Sequence, residues 1–96
     1  MDQRYFVYIL ASRLNSVLYA GVTNNLIKRV YEHRSGILEG FTKDYNLKKL
    51  VYYEEFGNIC DAIEREKQIK SWARRRKVIL INSLNPDWAD LYDKLE

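Results

Sequence analysis

Two runs rich in aromatic and β-branched residues near the start of the chain, Tyr5–Ala11 and residues 17–23, constrain the fold more than anything else in the sequence. They are joined by the polar segment Ser12, Arg13, Leu14, Asn15 and Ser16, so together they predict a β-hairpin. Thr23 or Asn24 can then cap a helix whose apolar positions Leu26, Ile27 and Val30 recur at helical spacing, with Gly36 as its stop. The stretch 36–46 holds Gly36 and Gly40 without a clear period and reads as a mobile connection.

A third strand is expected over Lys49–Phe56. Asn58 with Asp61 three residues on resembles a capping box, and it opens a helix with Ile59, Ala62, Ile63 and Ile69 on one face. A further helix over residues 74–83 should end at Asn85 and Pro86, because proline cannot continue the hydrogen-bond ladder. Trp88, Leu91 and Tyr92 anchor the tail. The order β-β-α-β-α-α implies an α+β fold, a small three-stranded and mostly antiparallel sheet flanked by helices. At 96 residues the chain is the size of one domain, and residues 1–96 are read as a single one.

Charge is mild in sum and uneven in place. The formal net charge is +3. Arg65, Lys67, Lys70, Arg74, Arg75, Arg76 and Lys77 stand against the lone acid Glu66 over residues 65–77, whereas the tail is acidic through Asp87, Asp90, Asp93 and Glu96. The basic stretch is where phosphates are expected, and nucleic acid is the partner it suits. Cys60 is the lone cysteine, which excludes an intramolecular disulfide and a thiolate metal cluster and points to a reducing compartment. With no apolar run of membrane-spanning length and no leader pattern, the expected location is the cytoplasm, away from membranes.

Glu66 is the most informative residue. It lies three after Ile63, four after Ala62 and three before Ile69, inside an apolar helical stripe. A carboxylate there must be compensated by a cation or by donors. Two readings fit: an i,i+4 ion pair with Lys70, the simpler one for Glu66 taken alone, or a metal ligand. One carboxylate is enough for Mg²⁺, which keeps most of its waters and takes other ligands from a substrate phosphate.

Arg29 and His33 are four apart and share a helix face beside the sheet, while Tyr8 and Tyr19 sit on the two hairpin strands. Singly, each is better explained by solvation or packing.

Phe6-Val7-Tyr8 followed by Tyr19-Ala20-Gly21 resembles the GIY-YIG nuclease family, named for a triplet on each of two hairpin strands. Phe6, Val7 and Ala20 depart from those triplets at positions that serve backbone packing. The likeness continues through Asn25-Leu26-Ile27-Lys28-Arg29-Val30, similar to the family's helix with its essential arginine, and through His33, where the family carries His or Tyr. The stretch from Ala62 to Lys70 is similar to the helix with the family's metal-binding glutamate, which falls on Glu66. Gly40-Phe41-Thr42 and Asn85-Pro86-Asp87-Trp88 are similar to short stand-alone members, and the family's late asparagine falls on Asn85 in preference to Asn82.

The resemblance spans residues 5–91 and implies an endonuclease that uses Mg²⁺ or Mn²⁺ to hydrolyse phosphodiester bonds, in DNA sooner than in RNA. By it Tyr19 is the general base and Tyr8 its partner or substitute, Arg29 clamps the scissile phosphate, His33 relays a proton or holds a phosphate oxygen, and Glu66 holds the metal. A tyrosine with a free pKa of about 10 needs nearby positive charge to act as a base at neutral pH. The rival expectation is a catalytically silent binding module that uses the same basic and aromatic surface.

Overall fold

The computed structural model describes residues 3–38 and 40–95, so Met1, Asp2, Glu39 and Glu96 lie outside the described residues. Three strands, β1 (Tyr5–Ala11), β2 (Leu18–Thr23) and β3 (Lys49–Phe56), form one antiparallel sheet in the order β2-β1-β3. The helices are α1 (Leu26–Arg34), α2 (Phe41–Asp44), α3 (Ile59–Ser71) and α4 (Arg74–Leu84), followed by a 3-10 turn at Leu91–Lys94. The expected order β-β-α-β-α-α is the one observed, with α2 as one added turn inside the stretch expected to be a plain connection.

β1 is the middle strand and is buried on both faces, which is why its sequence is apolar without alternation. On one face Val7, Ile9 and Ala11 pack with Ala20, Val51, Tyr52, Ala62, Ile69 and Ile81 beneath α3 and α4. On the other, Tyr8 and Leu10 pack with Leu26, Val30, Leu47 and Leu50, backed by Leu91 and Tyr92. Tyr8 is therefore a core residue on the face that α1 covers.

The local devices differ from the expected ones in two places. Asn25 caps α1, its side chain accepting from the Lys28 amide at 3.1 Å, while the Thr23 hydroxyl accepts from the Asn25 amide and shapes the turn before it. At the other end Gly36 takes a φ of +70°, as a residue closing a helix in the left-handed region does. In α3, Asn58 caps as expected, but Ile59 and Ile63 are 39% and 38% exposed. The buried line runs through Ala62 and Ile69 with Arg65 and Glu66 partly buried between them, because these are the positions that face the sheet. Glu66 keeps its place on the buried line; the isoleucines do not.

Between Ile9 and Leu10 the pairing with β3 shifts by one residue, so that Val51 is extra. The side-chain amide of Asn85 donates to the Val51 carbonyl at 3.0 Å and to the Ala89 carbonyl at 2.8 Å, and its oxygen accepts from the Ala89 amide at 3.1 Å. Asn85 thus satisfies the bulge and pins the chain after α4 to the sheet. Among the described residues no helix is long and apolar enough to cross a membrane.

Candidate active site

Register brings the two tyrosines together. Leu10 pairs with Tyr19 and Tyr8 with Gly21, so Tyr8 and Tyr19 are diagonal neighbours on one face of the hairpin, with ring centroids 6.5 Å apart. Gly21 is what lets Tyr8 lie there: a Cβ at that position would stand 2.5 Å from the Tyr8 hydroxyl and 2.6 Å from Cζ. The second aromatic triplet therefore needs its glycine for a close approach between side chain and backbone, not for an unusual dihedral.

α1 crosses this face and delivers His33, whose Nε2 is 3.1 Å from the Tyr8 hydroxyl while its Nδ1 is 3.0 Å from the Thr42 hydroxyl. All three side chains are buried. Burial first, then the charge of Arg29, pushes the imidazole below its ordinary 6.5, so it is neutral at pH 7. A neutral imidazole has one N–H and one acceptor nitrogen, so two hydroxyls on its two sides saturate it. α2 owes its place in the site to this contact, since Thr42 is its buried residue.

The Tyr8 phenol is raised far above its ordinary value, chiefly by burial and next by Tyr19; Arg29 pulls it down and Glu66 adds to the rise. The positive charge expected to lower it is present, but burial outweighs it, so Tyr8 stays protonated at neutral pH. Tyr19 is half-buried and sits at the mouth of the cluster, 6.0 Å from the His33 ring and stacked at 6.1 Å and 28° on Phe41, which in turn meets Tyr45 at 4.7 Å. Phe41 and Tyr45 are 48% and 53% exposed.

Arg29 lies one turn before His33 on α1 and has its side chain 42% exposed, 3.4 Å from Glu32. It also lines a small polar cleft of about 100 Å³ with Thr23, Asn24, Asn25, Lys28 and Glu32. Glu66 approaches from α3 with its side chain only 15% exposed and its Oε2 3.0 Å from the Lys70 ammonium. Lys70 lies 5.3 Å from the Tyr19 ring centroid. The helical pair of Glu66 and Lys70 is formed, and it is formed beside the tyrosine cluster.

The structure thus gathers Tyr8, Tyr19, Arg29, His33 and Glu66, together with Thr42, Gly21 and Lys70. Sequence reasoning gave Thr42 and Gly21 no role, and set Lys70 both as the i,i+4 partner of Glu66, the contact that is formed, and among the residues expected to track phosphates. The only signals for the first two were the triplets that contain them. Asn85 is drawn into the bulge clip with both ends of its amide bonded, and Asn82 accepts from the Trp88 indole at 2.6 Å.

The remaining basic residues divide. Arg65 is bonded to both Glu54 oxygens at 2.9 Å and lies over Trp72, and Arg74 donates to the carbonyls of Asn15 and Ser16 in the hairpin turn. Arg76 stacks on Trp72 at 4.3 Å. Lys67 and Arg75 are exposed and Lys77 is half-buried.

A single carboxylate is a sparse metal site. Among the described residues no group of three or more His, Cys, Asp or Glu is placed to enclose an ion. The donor set fits an ion that takes most ligands from water and substrate, and a cation, the Lys70 ammonium, already stands at the carboxylate.

A family model described as the GIY-YIG catalytic domain matches residues 4–78. A UPF0213 protein of Clostridium perfringens is 44% identical over 78 residues, covering 81% of this chain and 83% of that one. A UPF0213 protein of Oceanobacillus iheyensis is 37% identical over 81 residues, covering 84% and 93%. Among solved structures, the solution NMR structure of a UPF0213 protein from Bacillus halodurans aligns over 97% of both chains with a TM-score of 0.59 at 27% identity.

Proposed function

The chain belongs to the GIY-YIG family, within its small UPF0213 group, and on that premise we propose that it is a divalent-metal-dependent endonuclease that hydrolyses phosphodiester bonds in nucleic acid, DNA ahead of RNA. The observation that carries the reading is convergence. Five residues from β1, β2, α1 and α3, each unremarkable alone, meet around one protonated phenol and one neutral imidazole. The reading takes residues 1–96 as one catalytic domain.

In it, Tyr19 is the general base, being the hydroxyl at the mouth of the cluster with the Lys70 ammonium against its ring. Tyr8, His33 and Thr42 form a buried chain of hydroxyl, imidazole and hydroxyl that fixes the floor on which Tyr19 packs. Arg29, half-exposed and loosely paired, turns its guanidinium to the scissile phosphate and stabilises the charge that develops there. Glu66 is the residue that would hold Mg²⁺ or Mn²⁺. Bound there, the ion supplies charge stabilisation to the leaving oxygen.

The exposed Phe41, stacked on Tyr19, and Tyr45 packed against Phe41 favour one second reading, a binding module without turnover, since aromatic faces hold bases by stacking. Incubation with duplex, branched and single-stranded DNA and with RNA, with and without Mg²⁺ or Mn²⁺, separates the two. Metal-dependent cleavage supports the enzyme. Binding of these substrates with no cleavage under any condition supports the module.

A further inference from the structure

We propose that Lys70 is an internal counter-cation that holds Glu66 ready in the unloaded site and competes with the divalent ion for its carboxylate. The inference rests on the reading of Glu66 as the metal-holding residue.

The pair differs from an ordinary surface i,i+4 contact. Glu66 is largely shielded, at 15% side-chain exposure, whereas Lys70 is 46% exposed and free to swing outward. Among the described residues Glu66 has no other cation as an ion-pair partner. A shielded carboxylate left without a partner is costly, and the Lys70 ammonium at 3.0 Å meets that cost while no metal is bound. A divalent ion at the same oxygen would add a like charge within contact distance of the ammonium, so the two compete for the carboxylate.

The exit is also built in. The Lys70 ammonium lies 5.3 Å from the Tyr19 ring centroid, so its flexible stem has an aromatic face to rest against when it leaves the carboxylate. Lys70 is a positioning residue in this account, acting through Glu66.

The test is Mn²⁺ binding without nucleic acid, followed by electron paramagnetic resonance of the free ion and by calorimetry, alongside thermal midpoints with and without Mn²⁺. Lys70→Met keeps the stem and removes the charge. It should bind Mn²⁺ about two- to fivefold tighter than the parent, the scale of a solvent-accessible ion pair, while its metal-free midpoint falls. Lys70→Arg should bind Mn²⁺ as the parent does. A purely structural lysine would lower the midpoint and leave Mn²⁺ affinity unchanged or weakened, and that result overturns the inference. Glu66→Gln separates it from the reading beneath: if Glu66→Gln binds Mn²⁺ like the parent, or if no form binds Mn²⁺, the metal assignment itself fails. If Glu66→Gln abolishes binding and Lys70→Met does not tighten it, the counter-cation alone fails.

Discussion

Arg65 and Glu66 are neighbours on α3, and each takes part in an ion pair, yet the two pairs are built for opposite ends. The Arg65 guanidinium meets Glu54 through two parallel bonds of 2.9 Å, donates a third to Gln68 at 2.7 Å and lies over Trp72, while the Tyr52 hydroxyl donates to Glu54 from the other side. Burial raises the Glu54 carboxyl, but the bonds from Arg65 and Tyr52 more than offset this and hold it below its ordinary 4.5. Three donors on two residues meet the two Glu54 oxygens, so no single movement frees the carboxylate. The Lys70 to Glu66 pair has one contact, an exposed cation and a shielded anion. A pair held by several bonds is a clamp; a pair held by one contact is, on the proposed reading, an exchangeable site.

The sharpest way to break that distinction is to neutralise each carboxylate in turn. Glu66→Gln should leave the chain folded by circular dichroism and lower cleavage by about a hundredfold or more, the scale at which removing one group that stabilises transition-state charge is felt. Glu54→Gln should do the reverse. Its midpoint should fall by several degrees, in line with about 1–2 kcal/mol for a partly shielded charged hydrogen-bond network in a domain this size, with cleavage by the folded fraction near the parent rate. If Glu54→Gln abolishes cleavage while still folded, or Glu66→Gln cuts at full rate, the two pairs have been assigned the wrong way round.

Much of this was legible in the sequence, for identifiable reasons. The two-sided burial of β1 writes itself as an unbroken apolar run, and the hairpin, the third strand and Asn58 as the cap of α3 follow from local composition. Glu66 showed itself as a charge on a helical line that should be apolar. What could not be read were contacts that depend on register and on partners distant in sequence. Thr42 becomes part of the site only because α2 folds back onto His33, nine residues away. Arg65 is engaged within the fold only because Glu54 faces it from β3. Asn85, the residue on which the late asparagine of the family resemblance was placed, fills a bulge that no local pattern announces.

A smaller effect probes how tightly the site floor is built. Gly21→Ala would place a methyl 2.5 Å from the Tyr8 hydroxyl, so the phenol must leave His33. Turnover should drop about ten- to a hundredfold, since displacement of about 1 Å in a supporting residue costs on that order. Gly57→Ala, where an added Cβ meets nothing within 4 Å, is the control and should keep both fold and activity. Equal activity in the two variants would mean that Tyr8 need not sit where it does.

The site should also carry a stability cost that the clamp does not. His33 is held below its ordinary 6.5 by burial and then by Arg29, so between its folded value and 6.5 the unfolded chain binds a proton that the folded chain refuses. The stability from neutral His33 is fully present above pH 6.5 and declines as pH falls through that value. Glu54, held below its ordinary 4.5, titrates beneath this window and contributes no slope in it. The thermal midpoint should therefore fall between pH 7.5 and pH 5.5 in the parent, and His33→Gln, whatever its own midpoint, should show a flatter profile over the same range. An equal slope in both would place the pH sensitivity elsewhere.

The smallest effect sorts the basic residues by the same division between committed and free charge. Arg65 is held by Glu54, and Arg74 by two turn carbonyls, whereas Lys67 and Arg75 are exposed with no ion-pair partner among the described residues. Only a free cation can release counterions from a phosphate chain on binding, so only free cations enter the salt dependence of affinity. Lys67→Ala combined with Arg75→Ala should reduce the slope of log affinity against log salt by about 1 to 2, at roughly 0.9 for each duplex-DNA phosphate that is no longer neutralised. Arg65→Met, which keeps an apolar stem over Trp72, should leave the slope alone and lower the thermal midpoint. If Arg65→Met flattens the slope as far as the double variant does, then Glu54 releases its guanidinium when nucleic acid arrives. The clamp would then be an exchangeable pair like its neighbour on α3.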